Sequence, residues 1–172
     1  MDAVSNLIAR YFAQRGGELL IGGVPATRLA ARHGTPVFVY DRAVLDRKLD
    51  ALREALPAGF SVCYSVKANP NRALLEHFLS RGCGLELASA GEFHQALAAG
   101  AKPADVIFAG PGKTEAELEL VLKHGIGEIH AESELEIQRI GAICRRLGCR
   151  ARVAIRVNPS GEAQGGAMRM GG

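Results

Sequence analysis

Apolar and polar positions follow two regimes along this chain. Over residues 5–14 the apolar side chains fall at helical spacing, with Leu7, Ile8, Tyr11 and Phe12 on one stripe. Gly16-Gly17 is expected to stop that helix. A short strand from Leu19 to Ile21 and a turn at Gly22-Gly23 follow. Residues 26–33 read as a short helix ended by Gly34. Pro36-Val37-Phe38-Val39-Tyr40 reads as a strand, and Asp41 as the N-cap of a helix over 42–55.

Beyond residue 60 the pattern becomes regular. Apolar strands begin near Ser61, Gly84, Asp105, Glu128 and Ala151, at steps of 23, 21, 23 and 23 residues. Helical segments lie between them, near 71–81, 89–99, 114–124 and 132–147, several closed by glycine. Strand–helix alternation with short loops predicts an α/β fold with a parallel sheet. It closes either as an open doubly wound sheet or as a (β/α)8 TIM-type barrel. A full barrel needs about 250 residues. The chain therefore holds about five of eight strands, and is expected to end inside its domain.

Composition narrows the function classes. The chain has 172 residues, 48% hydrophobic and 23% charged, which fits a folded domain and not a disordered chain. No apolar run approaches the ~18–20 residues of a membrane helix, and no basic-then-apolar leader opens the chain. The net charge is +3 with its basic residues dispersed, there is no Trp, and aromatics make up 5%. Neither a nucleic-acid surface nor a base-stacking platform is expected. Cys63, Cys83, Cys144 and Cys149 form no CxxC pair, which fits a reducing, cytoplasmic setting. The glycine-rich end, 161–172, reads as a flexible terminus or an interrupted loop.

In α/β folds chemistry gathers at the C-terminal ends of the strands. The strand over 61–67 ends in Lys67, which by alternation shares a face with Cys63 and Ser65. A partly desolvated lysine there favours the neutral amine, which forms an imine with a carbonyl. The plain alternative is a surface lysine at a strand end. Glu86 interrupts an apolar strand and calls for a cationic partner, with Lys67 the obvious candidate. Ser89 and Glu92 have capping-box spacing. Arg156 closes the strand over 151–157, where it could hold an anionic ligand or a ring oxygen, or simply pair with Glu86. Gly110-Pro111-Gly112-Lys113-Thr114 fails the Walker spacing because Ile107 stands where a glycine is required, so Thr114 reads as a helix cap. His130-Ala131-Glu132 lacks the cysteines of a deaminase zinc site, and His33, His77, His94 and His124 read as surface positions near helix ends.

At Tyr64-Ser65-Val66-Lys67-Ala68-Asn69-Pro70 the chain resembles the pyridoxal-phosphate decarboxylases of the diaminopimelate/ornithine decarboxylase family, which have an alanine-racemase-type barrel. Gly34 to Asp41 resembles the family's strand leading into the barrel. Gly84 to Glu92, Phe108 to Thr114 and Ala154 to Pro159 resemble its second, third and fifth barrel strands. The stretch 64–78 and the glycine-rich end are most similar to the exosortase-associated subgroup.

That resemblance implies pyridoxal 5'-phosphate as cofactor and a small amino acid as substrate. It implies Lys67 as the Schiff-base lysine, with Glu86 and Arg156 in the cofactor site and Glu92 in support. Residues 1–58 would be part of a second, β-rich domain, and residues 59–172 the first five βα units of the barrel. The histidine that stacks on the cofactor ring, the phosphate loop and the second subunit's contribution belong to later segments of relatives. The resemblance therefore implies a homodimer in the full-length form and an incomplete site in this chain alone. Two alternatives stay open: a racemase or cofactor carrier of the same fold, and a non-catalytic truncated remnant.

Overall fold

The computed structural model describes residues 2–157. Asn158-Pro159 and the glycine-rich end lie outside the described residues. The chain divides into two compact units, residues 1–60 and 61–172.

The first unit opens with helix α1 (Ala3–Tyr11), capped by Asp2, whose carboxylate accepts from the Val4 and Ser5 amides. A three-stranded antiparallel sheet follows, β1 (Ala13–Arg15), β2 (Glu18–Ile21) and β3 (Val24–Pro25), in chain order. Gly16-Gly17 is thus a hairpin turn rather than only a helix stop. Both residues have positive φ, 60° and 79°, as a two-residue turn matched to strand twist requires. Gly22-Gly23 repeats the device at 57° and 78°. Helices α2 (Ala26–His33) and α3 (Arg42–Ala55) fall where the periodicity predicts them, α3 capped by Asp41. The strand expected at 36–40 does not form. No described strand lies alongside it to complete a ladder, and Val37, Phe38, Val39 and Tyr40 are all exposed.

The second unit is the α/β body. Its parallel strands are β4 (Cys63–Ser65), β5 (Gly84–Leu87), β6 (Val106–Phe108), β7 (Glu128–Ala131) and β8 (Val153–Ile155). They are alternated with α4 (Arg72–Ser80), α5 (Ala90–Ala98), α6 (Glu115–Lys123) and α7 (Glu134–Leu147). Spatial order equals chain order, β4-β5-β6-β7-β8, with no reversal. A doubly wound sheet reverses direction at a switch point, so this order decides for a partial barrel. The register agrees. One row runs Ser65–Glu86–Ile107–Glu128, from the end of β4 to the start of β7, which is the stagger of tilted barrel strands.

The core lies between strands and helices. Leu85, Leu87, Val106, Phe108 and Ile129 are fully or almost fully buried on the helix-facing side, against Leu75, Phe93, Leu118 and Val121. At roughly 25 cal/mol per Å² of apolar area, each such side chain contributes about 1.5–3 kcal/mol. β8 differs. Val153, Ile155 and Val157 are 39%, 69% and 77% exposed, because no described helix covers them. The other sheet face carries smaller and polar groups: Cys63, Ser65, Glu86, Glu128 and His130, all half-buried.

Candidate active site

Lys67 lies in a 3-10 turn, Val66–Ala68, that follows β4, and not in the strand itself. The alternation linking it to Cys63 and Ser65 therefore stops at Ser65. The turn is held firmly. Val66 is fully buried. The Tyr64 ring stacks on Phe78 with centroids 4.2 Å apart, and its hydroxyl donates to the Asn69 carbonyl at 3.2 Å. Asn69 Oδ1 accepts from the Asn71 amide at 2.9 Å, and Asn71 caps α4 by accepting from Ala73. The backbone on both sides of Lys67 is thus fixed while its side chain is exposed, and the desolvation expected of it is absent.

Neither ion pair expected for Glu86 forms among the described residues. Cα register places Glu86 beside Ser65. The chain then winds into the 3-10 turn, so Lys67 leaves the line of β5. Arg156 reaches Glu132 instead, Nη1 to Oε1 at 3.2 Å. The reason is topological: β7 and β8 are neighbours, with Ala131 opposite Ile155, so the next residue on each strand meets the other. Glu86 lies three strands away. Ser65 Oγ is buried with no hydrogen-bond partner beside Glu86, and burial pushes the Cys63 thiol up.

A network of which sequence reasoning saw only the Ser89/Glu92 spacing and the Thr114 cap runs along the strand ends. Each of α5, α6 and α7 begins with Ser or Thr followed three residues later by Glu: Ser89/Glu92, Thr114/Glu117 and Ser133/Glu136. Each hydroxyl accepts from the glutamate amide. The carboxylates reach back to amides at the strand ends, Glu92 to Ala88 at 2.7 Å and Glu136 to Glu132 at 2.8 Å. Glu117 takes its own cap amide and also the Ala90 amide of α5, both at 3.0 Å; the Thr114 amide first, then that of Ala90, holds its carboxyl below the usual value. Lys113 joins this belt. Its ammonium donates to Glu136 Oε1 at 2.9 Å and to the Gly110 carbonyl, with side chains 0% and 7% exposed. The sequence signal was available as the recurring Ser/Thr-x-x-Glu after successive strands. Lys113 itself had no local mark, since its partner lies 23 residues away.

These caps decide what the rim can bind. A helix N-terminus attracts anions, but here α5, α6 and α7 each carry their own carboxylate. None of the three is open to a phosphate. A cavity of about 590 Å³ lies at the opposite, N-terminal strand ends, lined by Cys63, Cys83, Lys102, Asp105, Glu128 and Arg152. Lys67 follows β4 at the other, C-terminal strand ends. Among the described residues no His, Cys, Asp and Glu cluster could hold a metal.

Comparison with known proteins places this geometry. Residues 42–172 match the family described as pyridoxal-dependent decarboxylase, pyridoxal binding domain. This chain belongs to that family. Among curated relatives, the diaminopimelate decarboxylase of Pseudomonas aeruginosa is 40% identical over 155 residues, covering 89% of this chain and 37% of the relative. That of Neisseria meningitidis serogroup B is 42% identical over 142 residues, covering 82% and 34%. A solved structure from Aquifex aeolicus superposes with a TM-score of 0.84 at 38% identity, covering 91% of this chain and 39% of the other. Diaminopimelate decarboxylase from M. jannaschii, solved with L-lysine, gives 0.78 at 28% identity, covering 87% and 36%. The chain thus spans about a third of the length of these relatives.

The described residues fit a pyridoxal cofactor in part. An exposed lysine amine on a fixed turn suits covalent attachment. The orphaned Ser65 hydroxyl, Glu86 and the Glu132-held Arg156 supply polar groups on the same sheet. A phosphate seat is what α5, α6 and α7 do not offer. Among described residues no helix is long and apolar enough to cross a membrane.

Proposed function

We propose that this chain carries the lysine-bearing part of a pyridoxal 5'-phosphate-dependent decarboxylase acting on a small amino acid of the diaminopimelate type. Lys67 is the Schiff-base lysine, and Glu86 and Arg156 are cofactor-binding residues. The observation that carries this reading is Lys67 itself: an exposed amine on a rigid turn at the strand ends of a pyridoxal-binding domain. Of the five lysines in the sequence, Lys113 is excluded by burial and by its bond to Glu136, and Lys123 stands in the last turn of α6, away from the C-terminal strand ends.

When bound, the cofactor supplies an electron sink for the carbanion left as carbon dioxide departs. The chain's own residues have simpler tasks. Lys67 would hold the cofactor covalently through its side-chain amine. Arg156 offers a guanidinium whose backbone and side chain are both anchored on the end of β7. Glu86 sets a negative charge into the sheet beside Ser65. With α5, α6 and α7 capped internally, those three helices leave the phosphate grip to other residues, which fits a chain that is inactive by itself. In the full-length form we place residues 1–58 in a second β-rich domain of a cytoplasmic homodimer. The four free thiols fit a reducing setting.

The test is reductive trapping. Incubation with pyridoxal phosphate and then borohydride should label Lys67 and spare Lys113, read by peptide mass mapping. Label spread over Lys48, Lys102 and Lys123 with none preferred at Lys67 overturns the proposal.

A further inference from the structure

We infer that Lys113 and Glu136 are positioning residues for Arg156: their buried ion pair fixes the end of β7, and through Glu132 it holds the guanidinium at the strand rim. The inference rests on the assignment of Arg156 to the cofactor site.

A buried ion pair is a poor source of stability, because desolvation offsets its Coulomb gain, and apolar residues of equal volume often do as well. What an apolar pair could not do is divide a carboxylate between two tasks. Glu136 Oε1 takes the Lys113 ammonium at 2.9 Å, and Oε2 takes the Glu132 amide at 2.8 Å. The cation thereby pins the carboxylate in the orientation that anchors Glu132. Glu132 in turn binds Arg156 Nη1 at 3.2 Å, while the Arg156 amide donates to the Ala131 carbonyl at 2.9 Å. Arg156 is thus held at side chain and backbone by two consecutive residues, 131 and 132.

Comparison with α5 isolates what the cation adds. Glu92 caps the end of β5 in the same way, through the Ala88 amide. No buried cation stands behind it: Lys113 and Glu136 are the buried charged residues among those described. The extra ion pair occurs at the strand end whose neighbour carries Arg156. Lys113 is itself fixed by the Gly110 carbonyl and lies 5.9 Å from the Phe108 ring centroid.

The experiment replaces both charges, Lys113→Met with Glu136→Met, so that no buried charge is left unpaired and the chain can fold. Proton exchange at the Arg156 Nη groups, one of which carries the bond to Glu132, is then followed by ¹⁵N NMR at low temperature, with Arg156→Lys to assign the signal. The expected result is roughly tenfold faster exchange at Arg156. Arg146, held by Glu119 outside this network, should not change. Exchange at Arg156 unchanged within about twofold would overturn the inference. Should the double variant not fold, Glu132→Ala, which removes the acceptor altogether, tests the last link, and undiminished protection of Arg156 there sinks the inference equally. Borohydride trapping on the parent keeps the two readings apart. Absence of label at Lys67 removes the cofactor assignment alone, whereas unchanged Arg156 exchange with Lys67 labelled removes the positioning role alone.

Discussion

Removing the two members of the buried ion pair should have unequal effects. Glu136→Ala leaves the Lys113 ammonium with only the Gly110 carbonyl, in a site where its side chain is 0% exposed. Stranding a buried charge costs about 3–5 kcal/mol. The Glu132 amide also loses its acceptor, a further cost of about 1 kcal/mol. Lys113→Met strands a carboxylate instead, but Glu136 keeps the Glu132 amide, its own amide keeps the Ser133 cap, and it sits in the first turn of α7, where the helix dipole favours negative charge. Its cost should be about 3 kcal/mol, the lower end of the range for such deletions. The gap of about 2 kcal/mol corresponds to roughly 1 M in urea midpoint at a slope near 2 kcal/mol/M. Urea unfolding at neutral pH, followed by far-UV circular dichroism, measures it. With total stability of about 5–15 kcal/mol, Glu136→Ala brings the chain near its folding limit. Equal midpoints for the two variants, or a lower one for Lys113→Met, would refute the reasoning.

Three further outcomes are expected. The Glu119 carboxyl is held at about 2, first by Arg146 and then by Lys123, against an ordinary 4.5. Its folded value lies below its unfolded one, so its contribution is present above 4.5 and fades as pH falls toward 2; the urea-midpoint difference between the parent and Glu119→Gln should shrink across that interval. Gly127→Ala should destabilise by at least about 1–3 kcal/mol, because the added Cβ would lie 2.2 Å from the Ala104 carbonyl oxygen, and backbone must move to admit it; thermal unfolding reads this directly. Ile129→Ala, at a fully buried site, should cost about 2–5 kcal/mol, while Ile155→Ala, 69% exposed on β8, should stay within about 0.5 kcal/mol; similar melting shifts for both would show that the outer face of β8 is covered after all.

Much of the second unit was legible from hydrophobic periodicity, because each helix there has one buried stripe and each strand a short apolar run. Element positions from α4 to β8 follow the predicted spacing to within about three residues. Constant strand spacing and the family resemblance pointed to a barrel, and the strand order, which the spacing of elements does not encode, bears that choice out. Residues 36–40 have strand composition without a strand, for a ladder needs a partner and composition cannot supply one. Gly16-Gly17 was noticed as a breaker, but its role as a hairpin turn depended on pairing Ala13–Arg15, three residues with no apolar alternation. At the site, the place of Lys67 just after the first parallel strand was legible, while the role proposed for it came from the family resemblance and not from position. That its expected pair with Glu86 does not form was not legible, because the chain leaves strand geometry one residue earlier. Arg156 was legible and Glu132 was passed over, because that carboxylate's role arises only from the adjacency of β7 and β8.

The distribution of buried apolar side chains between the two units has a consequence for limited proteolysis. Among the described residues of the first 60, Leu49 is the one buried apolar side chain, while the second unit holds the continuous core. Local opening costs least where little apolar surface is buried. A protease at low dose should therefore cut first within residues 34–41, where four consecutive large side chains are exposed. The trimmed product should keep the lysine-bearing strands and helices intact, and should withstand digestion long after the amino-terminal hairpins have been degraded to peptides.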